Sequence, residues 1–119
     1  MSDIGAIDAK TFEDLVVSTG GDPAFVNELI DTYLSDAPAL FDQMRGALSS
    51  GDAETFRRAA HSLKSSSATF GAMALSAAAR ELEHLARDGV LDGTAGCIAR
   101  AEAEFIRAKA ALEAMHNEP

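Results

Sequence analysis

The sequence is poor in the residues that build β-sheets, disulfides and membrane spans. Among 119 residues it has no Trp, one Tyr and one Cys, and Val, Ile and Thr are sparse. Because β-branched and aromatic side chains favour strands, their scarcity argues against a sheet. The single cysteine, Cys97, excludes an internal disulfide and a cysteine-based metal site. No apolar run approaches the roughly 18 residues that a membrane-spanning helix needs.

Positive charge is also scarce, since 10 Lys and Arg stand against 19 Asp and Glu, which gives a net charge of -9. General nucleic-acid binding requires a basic surface that neutralises phosphates, so this composition excludes that class of function. Residues 1–5 lack the basic and apolar segments of a secretion signal. We therefore expect a cytoplasmic protein that binds neither nucleic acid nor membranes.

The residues that are abundant favour helices, because Ala leads and Leu, Glu, Arg and Met support it. Apolar residues recur at alternating spacings of three and four, which predicts amphipathic helices. The predicted helices span 9–18, 23–49, 53–70 and 73–87, and a last one begins after Asp92 or at a Thr94 cap. Pro38 predicts either one long kinked helix or two helices broken near Asp36, and the unbroken apolar stripe favours the kinked helix.

Short connections between long helices force neighbours to run antiparallel. The expected fold is therefore all-α, an up-down-up-down four-helix bundle, with the short first helix covering one end. We expect a flexible N-terminus over residues 1–7, the bundle over residues 8–116 and a frayed tail over residues 117–119.

One helix carries reactive groups at close spacing on one side. His61 lies beside the apolar seam of the third helix, and Lys64 follows about one turn later. A neutral imidazole has a free lone pair and is a nucleophile. Phosphoryl transfer asks a protein mainly for positioning and charge stabilisation. We expect both side chains to face solvent, so that the pair forms the acceptor half of a phosphoryl transfer. The small side chains of Ser65, Ser66 and Ser67 would keep the surrounding surface low; the alternative is that Ser67 fills a gap in the core and the other two are solvated.

The same stretch resembles the signature of histidine-containing phosphotransfer (HPt) domains of bacterial multistep phosphorelays. The resemblance rests on the run Ala60-His61-x-Leu63-Lys64-x-Ser66-Ser67-x-x-x-Gly71-Ala72. It extends to Asp22-Pro23-Ala24-Phe25, to Tyr33-Leu34-Ser35-Asp36-Ala37-Pro38 and to Gly51-Asp52, and covers roughly Asp8 to Leu112. The sequence departs from the pattern at Ser65, where many members have glycine, and this bears on the choice of partner.

The resemblance implies a monomeric bundle that carries a phosphoryl group. His61 would accept it on the outer ring nitrogen from the aspartyl phosphate of a response-regulator receiver domain and pass it to another receiver. Lys64 matches the lysine that steadies this group. A hybrid histidine kinase is a further expected partner. The chain has no glycine-rich nucleotide loop, so we expect a carrier without kinase activity or a cofactor of its own, with Mg²⁺ bound by the receiver.

A nucleophilic histidine works best if an acceptor holds its other nitrogen and fixes the tautomer. Glu83 is the candidate for this role. His61 lies ten residues before the turn at Gly71 and Glu83 lies twelve after it, so both stand at a similar height on adjacent antiparallel helices. The alternative for Glu83 is a solvated surface carboxylate.

Contacts with the partner are expected from residues near His61 on its own helix, namely Arg57, Arg58, Ser65 and Ala68. The two arginines make a local basic patch on an acidic protein, which suits an acidic receiver pocket. The alternative interpretation of both arginines is that they are ordinary solvated charges.

Two other classes of function fit a helical bundle. One is a structural or regulatory bundle that binds a receiver or kinase without phosphotransfer. The other is a metal-binding bundle, because Glu81-x-x-His84 and Glu113-x-x-His116 match the pattern of di-iron proteins. The two motifs lie near opposite ends of antiparallel neighbours, about 18 Å apart. Metals in one site lie about 4 Å apart, so the sequence argues against a shared site.

Overall fold

The computed structural model of the protein describes residues 6–89, 91 and 93–115. These residues form five α-helices and no strand: α1 (Ala9–Ser18), α2 (Pro23–Ser50), α3 (Ala53–Phe70), α4 (Met73–Arg87) and α5 (Thr94–Met115). The all-α prediction is confirmed. Across these described ranges, no helix combines the length and the apolar character that crossing a membrane demands.

Local sequence fixes the ends of the helices. The carboxylate of Asp22 accepts the backbone N–H of Ala24 at 3.0 Å and starts α2, and Asp52 accepts the N–H of Thr55 at 3.1 Å and starts α3. Between them Gly51 adopts a left-handed φ of 74° and ends α2. Because the connection is so short, α3 folds back antiparallel to α2.

α2 is one helix that runs through Pro38. Proline removes a backbone hydrogen bond and normally disfavours a helix interior. Here Tyr33, Ala37 and Phe41 are buried on both sides of it. Packing of this stripe on the core therefore holds the helix together. The continuity of the helix is confirmed, whereas the predicted kink at Pro38 stays a prediction. Its 28 residues span about 42 Å, close to the 45 Å length of the molecule.

The four long helices form a closed bundle. α3 packs against α2 and α4, while α5 contacts α4 and α2 and completes the ring. The largest fully buried apolar side chains come from all four: Ile30, Met44, Phe56, Leu63, Leu75, Leu82, Ile98 and Leu112. The predicted antiparallel four-helix bundle is therefore confirmed.

The short helix α1 closes one end of this bundle. The backbone N–H of Asp8 donates to the carbonyl of Gly71, just past the end of α3, at 2.7 Å. Phe12, Leu15 and Val16 are partly buried against the core. α1 is therefore tied to the end of the helix that carries His61.

The N-terminal segment packs on the bundle where it is described. Of the predicted flexible segment 1–7, only Ala6 and Ile7 are described, and both are buried, with 6% of their surface exposed. Ile7 joins the hydrophobic core, since an apolar side chain gains by leaving water. Packing therefore begins before residue 8. The predicted frayed tail 117–119 and His116 lie outside the described residues.

A hydroxyl pair crosses the core between α2 and α3. The Tyr33 hydroxyl lies 2.7 Å from Ser67 Oγ, and the Tyr33 ring stacks on Phe70 with centroids 4.8 Å apart. Burial raises the pKa of Tyr33 to about 12, even though the hydrogen bond with Ser67 acts in the opposite direction. The small Ser67 is therefore a core residue that partners the tyrosine, and it does not contribute to the surface near His61.

We expect Ser67→Ala to lower the free energy of unfolding by about 1–2 kcal/mol, because it leaves the buried Tyr33 hydroxyl without its partner. Removing both hydroxyls, in Tyr33→Phe/Ser67→Ala, should cost less than the sum of the two single changes. Urea denaturation of the four proteins measures this, with the exposed Ser65→Ala as control. Additive losses would show that the two hydroxyls do not depend on each other.

Candidate functional site

His61 points away from the core because of its position on α3. Its neighbours Ala60 and Leu63 are fully buried, which turns the imidazole outward. The His61 side chain is 55% exposed. The predicted solvent-facing histidine is therefore present, on a rigid helix and accessible to a second protein.

A buried carboxylate from α4 holds the inner side of this ring. Glu83 Oε2 lies 2.9 Å from His61 Nδ1, and only 4% of the Glu83 side chain is exposed. A carboxylate only accepts hydrogen bonds, so Nδ1 carries the proton in this contact. In the neutral ring the lone pair is then on Nε2. The candidate contact between Glu83 and His61 is thus observed, whereas its role in orienting the ring remains a prediction.

Glu83 also binds a second cation, since its Oε1 lies 2.7 Å from Lys64 Nζ. Burial alone would raise the pKa of Glu83, but hydrogen bonds from Lys64 and His61 outweigh it, and the pKa lies below the ordinary value of 4.5. The carboxylate is therefore ionised at neutral pH, and α3 and α4 are joined by a charged pair next to His61.

The lowered pKa of Glu83 predicts how stability depends on pH. A carboxyl group whose pKa is lower in the folded state stabilises the fold above its unfolded pKa, and this contribution is lost as pH falls through the folded pKa. We expect the wild type to lose stability relative to Glu83→Gln as pH is lowered from about 6 to about 3. Thermal unfolding of both proteins across that range measures the difference. A constant difference would contradict the assignment of a lowered pKa.

Lys64 is more buried than the sequence predicts. Only 29% of its side chain is exposed, so the expectation of a solvent-exposed lysine is met only in part. The physical reason is the ion pair, which draws the ammonium toward the α3–α4 interface. Ser76 of α4 adds to this junction by donating its hydroxyl to the Lys64 carbonyl at 3.0 Å.

The structure adds two charged residues that the sequence analysis did not single out. Arg87 lies one turn after Glu83 on α4, with Nη2 3.9 Å from Glu83 Oε2. Glu54, in the first turn of α3, lies 2.7 Å from Arg57 Nη2 and 3.8 Å from Arg58 Nε. In both cases, the spacing of three or four residues between opposite charges on one helix is the sequence signal that identifies such ion pairs.

The predicted partner-binding residues lie on α3 around His61. Arg57 and Arg58 lie together, as expected. Both guanidinium groups form ion pairs with Glu54, which offsets part of their positive charge. Ser65 is exposed and Ala68 is half-buried. Because positions 61, 65 and 68 recur at helical spacing, they share one side of α3.

The residues of the predicted metal motifs have other surroundings. Glu81 forms an ion pair with Arg100 of α5, His84 and Glu113 are exposed, and His116 lies outside the described residues. Within the described part of the chain, no group of three or more His, Cys, Asp or Glu side chains is placed to hold a metal ion.

Chemically, the arrangement suits an acceptor of an anionic group. His61 offers a nucleophilic Nε2 on the exposed side of the ring, and Nδ1–H is held by a buried carboxylate. Lys64 supplies a positive charge one turn further along the same helix. Such a site provides a nucleophile and charge stabilisation for a transferred phosphoryl group.

Comparison with known proteins agrees with this chemistry. The family model of the Hpt domain matches residues 28–118. The fold is similar to histidine-containing phosphotransfer protein B (HptB) from Pseudomonas aeruginosa PAO1, with a TM-score of 0.85 and 28% identity over 94% of this chain and 95% of that one. It is also similar to the phosphotransfer protein ZmHP2 from maize, with a TM-score of 0.81 and 26% identity over 93% and 83% of the two chains. Comparison with curated protein sequences found no match.

Proposed function

This chain belongs to the Hpt domain family and is a histidine phosphotransfer carrier of two-component phosphorelays, and on that premise we propose that His61 is the residue that carries the phosphoryl group. The observation that supports this most directly is the contact between Nδ1 of the exposed His61 and the buried Glu83 carboxylate. It selects the tautomer in which the outer nitrogen is the nucleophile.

The proposed reaction is one in-line displacement. The lone pair of His61 Nε2 attacks the phosphorus of a receiver's aspartyl phosphate. A P–N bond forms as the P–O bond to the aspartate breaks, and the electron pair of that bond leaves with the aspartate as a carboxylate. No proton moves, because Nδ1 keeps its hydrogen. The reverse step passes the group to another receiver.

Glu83 and Lys64 stabilise the product of this step in different ways. Attack by a neutral imidazole leaves a positive charge on the phosphorylated ring, so the hydrogen bond from Nδ1–H to the ionised Glu83 becomes charge-assisted. Lys64 has three N–H donors, and only part of them is needed for Glu83. The remaining donors are available to the phosphoryl oxygens.

The partners carry the rest of the chemistry. Hpt proteins work with receiver domains and kinases, and we assign the acceptor aspartate and the Mg²⁺ to the receiver and the nucleotide chemistry to a hybrid histidine kinase. This chain would then be a monomeric cytoplasmic carrier with neither a cofactor nor kinase activity. The side of α3 with Arg57, Arg58, Ser65 and Ala68 would contact the receiver.

The experiment that tests this function is a transfer screen. Receiver domains of the organism are phosphorylated with a small-molecule donor and incubated with the wild-type protein. We expect at least one receiver to give this chain an acid-labile, base-stable phosphoryl group within minutes. A phosphoryl group that is stable to acid, or no transfer from any receiver that is itself phosphorylated, would contradict the proposal.

Lys64→Ala should slow phosphoryl transfer by about tenfold to a hundredfold, because one positive charge is lost beside the reacting group. It should also lower the free energy of unfolding by about 1–2 kcal/mol, since Glu83 loses a partner in a buried place. Transfer reactions quenched at successive times measure the rate of phosphoryl transfer, and urea denaturation measures the free energy of unfolding. Lys109→Ala, a change of an exposed lysine on α5, is the matched control. Equal transfer rates in the two variants would show that Lys64 takes no part in the reaction.

A further inference from the structure

We propose that Arg87 is a positioning residue of the phosphorylated state, in which it binds Glu83 while Lys64 is engaged by the phosphoryl group. This inference rests on the proposed function of His61. It concerns a residue that plays no part in the displacement itself and acts only through Glu83.

The carboxylate of Glu83 has three basic neighbours at unequal distances. Lys64 Nζ lies 2.7 Å from Oε1, and His61 Nδ1 lies 2.9 Å from Oε2. Arg87 Nη2 lies 3.9 Å from Oε2, which is beyond hydrogen-bonding distance. In the unphosphorylated protein His61 is hydrogen-bonded to Oε2, Lys64 forms a close ion pair with Oε1, and Arg87 lies at ion-pair distance without a hydrogen bond.

Phosphorylation changes the charge balance around Glu83. The phosphoryl group brings about two negative charges, whereas the ring gains one positive charge, so the site becomes more negative. The phosphoryl oxygens then compete with Glu83 for the ammonium of Lys64. A buried carboxylate that shares the ammonium of Lys64 with another anion is destabilised, because low exposure weakens its solvation by water. The site needs a second permanent positive charge in this state.

Arg87 has the position and the freedom to supply that charge. It is the last residue of α4, four residues after Glu83, and its side chain is 57% exposed. A shift of about 1 Å would bring the guanidinium into hydrogen-bonding distance of the carboxylate. Its planar, multiple N–H donors suit a carboxylate that already accepts from His61.

A purely structural role for Arg87 makes a different prediction. A cation in the last turn of a helix also interacts favourably with the helix dipole, and this contribution is the same whether or not His61 is phosphorylated. The two roles are therefore separated by comparing the phosphorylated and unphosphorylated forms of the same variants.

The test uses Arg87→Gln, Arg87→Lys and the matched control Arg100→Gln. Arg100 is an arginine of 58% side-chain exposure that pairs with the exposed Glu81. Each variant is incubated with a saturating phosphorylated receiver, and the equilibrium distribution of phosphoryl groups between receiver and His61 is measured. We expect Arg87→Gln to shift it toward the receiver by about threefold to tenfold, Arg87→Lys to recover most of this, and Arg100→Gln to match the wild type.

Two results would overturn the inference. The first is an unchanged distribution of phosphoryl groups in Arg87→Gln. The second is a change confined to receiver affinity, which would make Arg87 a docking residue. Failure of the proposed function is distinct, because then the wild type itself would gain no phosphoryl group on His61.

Discussion

His61→Gln is expected to lose phosphoryl acceptance from a phosphorylated receiver by more than about a thousandfold, because the change removes the nucleophile itself. The bundle should stay folded, with a change in unfolding free energy below about 1 kcal/mol, since the side chain is 55% exposed and glutamine retains a donor for Glu83. Radiolabelled phosphate transfer and circular dichroism on the same samples measure the two effects.

His84→Gln is the matched control for this change. His84 is an exposed histidine on α4, outside the cluster of Glu83 contacts, and its replacement should leave transfer at the wild-type rate. Transfer to His61→Gln at a rate near that of the wild type would mean that another residue accepts the group. A loss of transfer in His84→Gln alone would identify His84 on α4 as the residue that accepts the phosphoryl group.

Gly71→Ala is expected to lower the free energy of unfolding by about 3 kcal/mol. Gly71 adopts a φ of 86°, where a side chain costs about 1–3 kcal/mol. An added Cβ would also lie 2.8 Å from the carbonyl oxygen and 3.1 Å from the nitrogen of Asp8, both of which are backbone atoms. Relief of that contact requires α1 to move and weakens the 2.7 Å hydrogen bond from Asp8 N–H to the Gly71 carbonyl.

Gly51→Ala separates the two causes. Gly51 has a similar φ of 74°, but an added Cβ there meets no atom within 4 Å. This control should cost only about 1 kcal/mol, from backbone strain. Urea denaturation of both variants gives the difference, which measures the close approach of α1 to the end of α3. Equal losses would show that the approach of Asp8 contributes nothing to stability.

The positions of the helices could be predicted because their ends are set locally. Asp8, Asp22 and Asp52 each accept a backbone N–H within three residues, and this signal is visible in the sequence itself. Thr94 is an exception. The sequence predicts Asp92 or Thr94 as the cap of α5. Asp92 lies outside the described residues, whereas Thr94 is the first residue of α5 and is buried, with its hydroxyl donated to the Leu91 carbonyl at 2.8 Å.

The site was predictable as far as helical spacing determines it. The side of α3 that faces solvent follows from the buried seam of Ala60 and Leu63, which sets the direction of His61. The contact with Glu83 required the height and the rotation of a second helix. Height follows from counting through the turn at Gly71, whereas rotation depends on packing, so the sequence left Glu83 open between a partner and a solvated carboxylate.

The remaining features depend on flexible side chains. The Lys64 side chain turns toward Glu83 and is more buried than its place on the helix implies. Arg57 forms an ion pair with Glu54. Long charged side chains choose among several partners within reach, and helical spacing alone does not rank those partners. For this reason the sequence identified the basic residues near His61 but not their pairing.

Above all, we propose that Glu83 fixes Nδ1 of His61 and leaves Nε2 as the acceptor. Nuclear magnetic resonance of the ¹⁵N-histidine-labelled, phosphorylated protein tests this most directly, because phosphorus-to-nitrogen coupling identifies the bonded nitrogen. We expect a single phosphohistidine at His61 with phosphorus on Nε2 and a hydrogen retained on Nδ1. Phosphorus on Nδ1, or on any residue other than His61, would contradict it.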